Sequence, residues 1–134
     1  MIVPDTNVVA YLFIQGARTP LARQVWSVDP DWRLPDLWRH EYLNSLATHA
    51  RHGAMEFEAA RRLWLEATDF LSGCAHAVAM AVALQVALRY KISAYDAQFI
   101  ALAQTLGVLC ITEDLPLRRK FPRLTRSMQE FCAR

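Results

Sequence analysis

Short apolar runs alternate along this chain with longer segments of helical periodicity. Residues 1–3 and 108–111 are predicted to be buried strands, because each is a brief apolar run that ends at polar residues. Residues 32–34 and 124–126 show a weaker pattern of the same kind and are predicted to be short strands. Pro4 is expected to end the first strand, since proline cannot donate a hydrogen bond to a β-ladder.

Helical periodicity and end signals predict eight helices between and after these strands. Capping residues at 5–7 begin the first helix, while Thr19 and Pro20 have the order of an N-cap and a first-turn proline. Gly53 and Gly107 are placed as C-terminal stops. The predicted helices cover residues 8–13, 21–28, 36–52, 56–71, 77–90, 94–106, 117–121 and 128–131. The second helix is expected to bury Leu21, Val25 and Trp26.

Strands separated by helices indicate an α/β fold with a parallel sheet and right-handed crossovers. The chain has 134 residues, is 54% hydrophobic and contains only 4 Gly, which suits one globular domain with its own core. No repeat, low-complexity tract or linker interrupts it. We therefore expect a single domain over residues 1–134.

Four carboxylates are expected at one edge of this sheet, because all strands of a parallel sheet end on the same side. Asp5 and Asp114 directly follow the two buried strands. Glu41 and Asp96 lie in the early turns of helices that begin at this same edge. Ligands bind at this edge in open α/β sheets, so the four acids are the primary candidates for a functional site.

Such a cluster needs compensation, because two unit charges about 4 Å apart repel by roughly 4 kcal/mol at an effective dielectric of about 20. Four clustered carboxylates are therefore tolerable only with protonation, separation or cations. Hard divalent ions prefer carboxylate oxygen, and two of them balance four negative charges. The cluster therefore predicts Mg²⁺ or Mn²⁺.

These acids also have a purely structural interpretation. Asp5 and Asp114 are suited to cap the helices that follow them. Ser93 and Asp96 have the spacing of a capping box, with Asp in place of Glu. Glu113 is expected to face solvent. Capping and metal binding are compatible at one side chain, so both interpretations stay open.

The charge and the cysteine content indicate the class of partner and the cell compartment, but they do not indicate a reaction. The net charge is only +2, but 13 of the 15 basic residues are Arg, whose planar fork suits phosphate and carboxylate partners. Three widely spaced cysteines are typical of a reducing cytosol, so we expect a cytoplasmic protein without a disulfide framework. We expect no signal peptide, because polar residues interrupt the N-terminus. The apolar stretch 77–88 is too short to span a bilayer and reads as a core or interface helix.

Other chemistries have weaker support. His49 and His52 share one side of a helix, but no third ligand is evident, so a surface pair is the better interpretation. No Gly-x-Ser-x-Gly elbow and no recognisable Cys/His arrangement is present. A phosphatase-type aspartyl nucleophile would require a second Asp two residues after Asp5, and that position is Asn7.

The chain resembles PIN-domain proteins, and within them the VapC-type toxins of prokaryotic toxin–antitoxin pairs. The resemblance rests on Val-Pro-Asp-Thr-Asn at 3–7, on Glu41, on Ser-Ala-Tyr-Asp-Ala-Gln-Phe-Ile-Ala-Leu-Ala at 93–103 and on Ile-Thr-Glu-Asp-Leu-Pro-Leu at 111–117. These segments occur in the family's order and span nearly the whole length. Pro4, where an aliphatic strand residue is usual, is a small departure.

The resemblance implies a three-layer α/β/α domain, usually dimeric, that cleaves RNA with Mg²⁺ or Mn²⁺. The residues that match the metal-holding acids are Asp5, Glu41, Asp96 and Asp114. Thr112 matches a polar position beside the site, and Asn7 would orient Asp5 or a bound water. A two-metal mechanism fits this set, with ions roughly 3.5–4 Å apart and no histidine base. The residues that either position the RNA backbone or form a solvated helix face are Arg118, Arg119, Lys120 and Arg123.

The leading hypothesis is a metal-dependent endoribonuclease toxin that a cognate antitoxin holds inactive. Trp26, Trp64 and the helices that flank residues 53–56 are expected to line the antitoxin groove. One alternative is a PIN-like nuclease with another substrate, such as structured DNA or precursor RNA. A second alternative is a PIN-like binding module without catalytic activity, which would not be stabilised by Mn²⁺.

Overall fold

The computed structural model describes residues 1–133, so residue 134 of the predicted domain lies outside the described residues. The strands are β1 (Val3–Pro4), β2 (Cys110–Ile111) and β3 (Thr125–Arg126). The helices are α1 (Thr6–Phe13), α2 (Thr19–Val28), α3 (Leu37–Arg51), α4 (Phe57–Phe70), α5 (Met80–Tyr90), α6 (Ala94–Leu106), α7 (Leu115–Lys120) and α8 (Met128–Cys132). The helices surround a short parallel sheet, which confirms the predicted α/β/α class.

The sheet has the order β1-β2-β3, and both pairings are parallel. Pro4 is the last residue of β1, so the strand ends there as predicted, although Pro4 itself still pairs with Ile111 within the strand. The flanking amides of Val3 and Asp5 donate to Leu109 O and Ile111 O, each at 2.9 Å. Successive N–H groups of a strand point to opposite sides, so the missing N–H of Pro4 falls on the side away from β2 and costs this pairing nothing.

Residues 32–34 do not form a full strand, contrary to prediction. Trp32 makes an isolated parallel bridge to Ile2, and Leu34 makes another to Ala75. Trp32 and Leu34 are fully buried and extend the sheet beyond β1, while Arg33 between them is half-buried. Because Trp32 bridges to Ile2 and Leu34 bridges to Ala75, the segment has a different partner at each bridge and forms no continuous β-ladder.

Several predicted element limits were also wrong. The strand predicted at 108–111 is confined to β2, and the helix predicted at 117–121 is α7, which begins at Leu115 and has Asp114 as its N-cap. Thr19 is the first residue of α2 rather than its cap, because its buried hydroxyl donates to Tyr11 O (2.7 Å) and accepts from Gly16 N (3.0 Å). α2 buries Thr19, Ala22 and Val25, whereas Leu21 and Trp26 are half-buried.

The helices form the outer layers of the fold. α6 contacts β1 and β2, and α5 packs on α6. α1 contacts β1 and also packs on α2, α3 and α4. The core includes Trp32, Trp38 and Tyr42, and the Tyr42 hydroxyl donates to Leu63 O at 3.0 Å. This packing fixes α3 and α6 beside the carboxyl ends of β1 and β2.

None of the helices described over residues 1–133 combines the length and the apolar content needed to cross a bilayer.

Candidate active site

An open cavity of about 410 Å³ lies at the carboxyl ends of β1 and β2. The structure brings all four predicted acids to its wall: Asp5, Glu41, Asp96 and Asp114. The other lining residues are Thr6, Asn7, Leu37, His40, Asn44, Ser45, Tyr95, Phe99 and Leu117. Residues separated by more than a hundred positions in the chain therefore share one solvent-accessible space.

Asp5 lies deepest in this wall. Its Oδ1 accepts a hydrogen bond from Val8 N (3.1 Å), and its Oδ2 accepts one from the Thr112 hydroxyl. Burial raises the pKa of Asp5 from 3.8 to about 6, against the lowering effect of its hydrogen bonds to Thr112, Val8 and Asn7, and the nearby Asp96 charge adds to the rise. Asp5 is thus a carboxylate held in place but poorly compensated for its charge.

Glu41 projects from α3 toward the same space. Thr6, the first residue of α1, donates its hydroxyl to Glu41 Oε1 at 2.7 Å. Partial burial raises the pKa of Glu41, the Thr6 hydrogen bond lowers it, and the Asp96 charge raises it further. The contact joins residues 35 positions apart and fixes the first turn of α1 against α3.

Asp96 and Asp114 complete the acidic wall. The Asp96 backbone amide donates to the Ser93 hydroxyl at 3.0 Å, which caps α6 and leaves the carboxylate on the cavity wall. Burial raises the pKa of Asp96, and the Asp114 charge raises it as well. Asp114 caps α7 by accepting from Leu117 N at 2.9 Å.

Two of these acids cap helices and also line the cavity. Asp5 is the N-cap of α1, and Asp114 is the N-cap of α7. Each cap uses Oδ1 as the acceptor, so the second oxygen of Asp114 stays available to the cavity. Helix capping therefore orients these side chains toward the site instead of competing with it.

The four acids are not paired with cationic side chains in the described part of the chain. Within residues 1–133, no Arg or Lys lines the cavity and no ion pair involves any of the four. The donor set consists of carboxylate oxygens, which suit Mg²⁺ or Mn²⁺. No three His, Cys, Asp or Glu side chains within the described range are gathered closely enough to hold a metal together.

Thr112 connects two of the acids. It is fully buried, donates its hydroxyl to Asp5 and accepts the Asp114 backbone N–H at 3.1 Å. Asn7 is exposed on the cavity wall. Glu113 was predicted to face solvent, and that was wrong: it is half-buried, and its Oε1 accepts from Met128 N at 2.7 Å, which ties the exit of β2 to α8.

The four basic residues predicted to contact RNA have different surroundings in the structure. Lys120 Nζ donates to Tyr90 O (2.8 Å) at the C-terminus of α5, so its main contact is structural. Arg118 and Arg119, together with Arg126, line a second cavity of about 450 Å³. Arg118 is only weakly paired, with Glu130 at 3.9 Å, and its buried Nε lacks a hydrogen-bond partner within the described residues. Arg123 is exposed and lies outside the lining of this cavity.

Sequence reasoning missed Thr6, His40 and Arg126. Thr6 had no local signal, because its partner lies in a distant helix. His40 precedes Glu41 and also lines the acidic cavity. Arg126 follows the predicted basic segment, and its position on β3 beside α7 is a consequence of strand pairing alone.

The comparisons with known proteins agree with this architecture. A family model described as PIN domain matches residues 2–120. The chain is 29% identical over 126 residues to Ribonuclease VapC3 of Pyrobaculum aerophilum, which covers 92% of this chain and 96% of that protein. It is similar in fold to the crystal structure of PAE2754 from Pyrobaculum aerophilum, with a TM-score of 0.78, 18% identity and coverage of 98% and 93% of the two chains. At that identity the structural likeness concerns the fold alone.

Proposed function

Since this chain belongs to the PIN domain family, we propose that it is a metal-dependent endoribonuclease that acts as the toxin of a toxin–antitoxin pair. The observation that carries the proposal is the set of four carboxylates around one cavity, with no Arg or Lys of residues 1–133 on its wall. The similarity to a protein named Ribonuclease VapC3 supports RNA as the substrate.

The residues proposed to hold Mg²⁺ or Mn²⁺ are Asp5, Glu41, Asp96 and Asp114. Their four negative charges balance two divalent ions, which favours a two-metal site. A divalent cation supplies charge stabilisation at the scissile phosphate and lowers the pKa of water. The chain itself fixes the ligands: Thr112 holds Asp5, and Thr6 holds Glu41. The raised pKa of Asp5 reflects a buried charge that a cation would offset.

RNA cleavage by the purified protein tests this proposal. We expect a labelled single-stranded RNA to be cut with Mn²⁺ or Mg²⁺ and to stay intact with EDTA, while a DNA of the same sequence is cut much more slowly. Cleavage of the DNA or of structured precursor RNA alone would favour a PIN nuclease with another substrate. Unchanged thermal stability on addition of Mn²⁺, together with no cleavage, would favour a binding module.

Thr112→Val is expected to lower RNA cleavage by roughly 10- to 100-fold, the usual effect of losing a group that orients a metal ligand. The variant removes the hydroxyl that donates to Asp5 and accepts from Asp114 N. Thr112→Ser keeps both hydrogen bonds and should retain most of the activity. Metal titrations of the cleavage rate should show a weaker apparent metal affinity for the valine variant only. Equal rates for the valine and serine variants would contradict this role.

The second cavity offers positive charge for the RNA backbone on the other side of α7. Asp114 and Leu117 face the acidic cavity, whereas Arg118 and Arg119 line the basic one. An RNA strand whose scissile phosphate lies at the four acids would therefore run past α7 and reach the guanidinium groups of Arg118 and Arg119. Arginine suits this role, because its fork pairs with phosphate oxygens.

Arg119→Ala is expected to weaken RNA binding severalfold and to reduce the salt dependence of binding by about one unit of log–log slope. The Arg119 side chain is exposed and makes no hydrogen bond or ion pair described within residues 1–133, so the change should not disturb the fold. Arg123→Ala is the matched control, an exposed arginine outside the cavity, and should leave the slope closer to that of the wild type. Fluorescence anisotropy with EDTA present, at several salt concentrations, measures both. Identical slopes for wild type and Arg119→Ala would contradict the assignment.

A cognate antitoxin and a homodimer complete the proposal. Trp26 packs against Trp32 and Phe70, and Trp64 stacks on Tyr42, so both tryptophans are half-buried and offer only part of their surface to a partner. Light scattering of the purified protein, alone and co-expressed with the product of a neighbouring small gene, measures the mass of both assemblies. Cytoplasmic location remains a prediction.

A further inference from the structure

A smaller cavity of about 260 Å³ adjoins the acidic one. Asn7 and Ser45 line both cavities, so the two spaces share a wall. The volume lies below the roughly 300–1,000 Å³ of sites for drug-sized ligands, which suits a single ring system better than a whole nucleotide. The other lining residues include Tyr11, Arg18, Thr19 and His49.

One face of α3 connects the two cavities. Glu41, Ser45 and His49 follow one another at intervals of four residues, which places them in one row along the helix. Glu41 lines the acidic cavity, Ser45 lines both, and His49 lines the smaller one. A polymer whose phosphate lies near Glu41 therefore has a histidine two helical turns away.

The structure also fixes the hydrogen-bonding character of His49. Its Nδ1 lies 2.7 Å from Ser45 O, and a carbonyl oxygen only accepts, so Nδ1 carries the hydrogen. Neutral His49 then presents Nε2 as an acceptor. No partner for Nε2 is described within residues 1–133, and the ring is half-buried. An oriented acceptor on a cavity wall can pair with an N–H group of a ligand.

Tyr11 and Arg18 form another part of the wall of this cavity. The Arg18 guanidinium lies over the Tyr11 ring at 5.3 Å from its centroid, and Arg18 Nη1 donates to the Tyr11 hydroxyl at 3.3 Å. Thr19 fixes the intervening loop through hydrogen bonds to Tyr11 O, Ile14 O and Gly16 N. Planar aromatic and guanidinium groups are the surfaces on which unstacked bases of single-stranded RNA lie.

We propose that this cavity, formed by Asn7, Tyr11, Arg18 and His49, binds one nucleobase next to the scissile phosphate and thereby selects the cleavage sequence. The proposal rests on the proposed ribonuclease function. His49 Nε2 accepts a hydrogen bond from a base N–H, and the Tyr11–Arg18 pair supplies the stacking surface. His49 is thus a specificity-determining residue and takes no part in the hydrolysis.

The neighbouring His52 is excluded from this role. It caps the C-terminus of α3 and is exposed, whereas His49 is turned into the cavity wall. No metal-binding group of three His, Cys, Asp or Glu side chains occurs in the part of the chain that the structure describes, so the pair is not part of a preformed metal site. His52→Ala therefore provides a matched control on the same helix.

The first experiment measures sequence preference. Wild type, His49→Ala and His52→Ala are each given a randomised single-stranded RNA pool with Mn²⁺, and the cleavage ends are sequenced. We expect the wild type to prefer certain bases at one position beside the cut. His49→Ala should lower the ratio of cleavage at preferred bases to cleavage at other bases about tenfold, whereas His52→Ala should leave this ratio unchanged. The same preference in wild type and His49→Ala would overturn the proposal.

The second experiment needs neither activity nor a variant. The four nucleoside 5′-monophosphates are titrated into the wild-type protein with EDTA, and the imidazole signals are followed by NMR. We expect at least one nucleotide to shift the His49 signals and none to shift those of His52. Absence of any His49 shift at saturating nucleotide would overturn the proposal. If the wild type cleaves no RNA but His49 shifts, the proposed ribonuclease function fails while the nucleobase cavity stands.

Discussion

Asp96→Asn is expected to lower metal-dependent RNA cleavage by at least about 100-fold. Groups that merely orient metal ligands contribute roughly 10- to 100-fold, so loss of a ligand charge should cost no less. Asp96 interacts electrostatically with two of the other acids, because its charge raises the pKa of both Asp5 and Glu41. Removing this charge weakens the attraction for a divalent ion at every point of the cavity.

The change should leave the fold intact. The contact of residue 96 that caps α6 is made by its backbone amide to Ser93, and asparagine keeps that amide. Asp69→Asn, at an exposed position of α4, is the matched control and should retain full activity. Initial rates with Mn²⁺ and circular dichroism on both variants provide the measurement. Comparable rates for Asp96→Asn and the wild type would remove Asp96 from the site.

The parallel sheet and the acidic edge could be predicted because they follow from local pattern and general topology. Each acid stands next to a strand end or in the first turns of a helix, and parallel strands all end on one side. Short apolar runs marked the positions of β1 and β2, although β2 proved shorter than its apolar run. The helix α6 was bounded correctly, since Ser93 and Gly107 are strong end signals.

The errors arose where a side chain serves a distant partner. Thr19 has the residue type of an N-cap, yet its hydroxyl is used by the loop before it. Lys120 belongs to a basic run, yet its ammonium binds carbonyl oxygens at the end of α5. Glu113 looks solvated in the sequence, but α8 folds back to meet it. Such contacts depend on tertiary packing, and no local pattern encodes them.

The row formed by Glu41, Ser45 and His49 was, by contrast, readable. Positions at intervals of four on a predicted helix share a face, so the face that presents Glu41 also presents His49. Pairing His49 with His52 as a surface motif obscured this relation.

Asp5→Asn is expected to stabilise the metal-free protein by about 3 kcal/mol at pH 7.5. Burial raises the pKa of Asp5 from 3.8 to about 6, so the folded state holds this proton more tightly than the unfolded state. Each pKa unit corresponds to about 1.4 kcal/mol. Stability that is present below about pH 4 is therefore lost as the pH rises through about 6, and asparagine, which does not ionise, avoids the loss.

Asparagine fits the hydrogen bonds of this position. Its carbonyl oxygen can accept from Val8 N, and its amide can donate to the Thr112 hydroxyl oxygen, which has a second lone pair beside the one used by Asp114 N. Urea unfolding in EDTA at pH 4.5 and 7.5 measures the free energy of unfolding of both proteins. The free energies of unfolding of the two proteins should differ by only about 1 kcal/mol at pH 4.5 and by about 3 kcal/mol at pH 7.5.

Addition of Mn²⁺ should reverse this order. A cation that binds only the folded state stabilises it by mass action, and it needs the Asp5 charge to do so. The wild type should therefore gain stability with Mn²⁺ at pH 7.5, while Asp5→Asn gains little and loses RNA cleavage. An asparagine variant that is less stable than the wild type in EDTA at pH 7.5 would show that Asp5 contributes to folding through its charge. A reversal of the stability order between EDTA and Mn²⁺ would instead show that the Asp5 carboxylate destabilises the metal-free protein and that a bound cation offsets this loss.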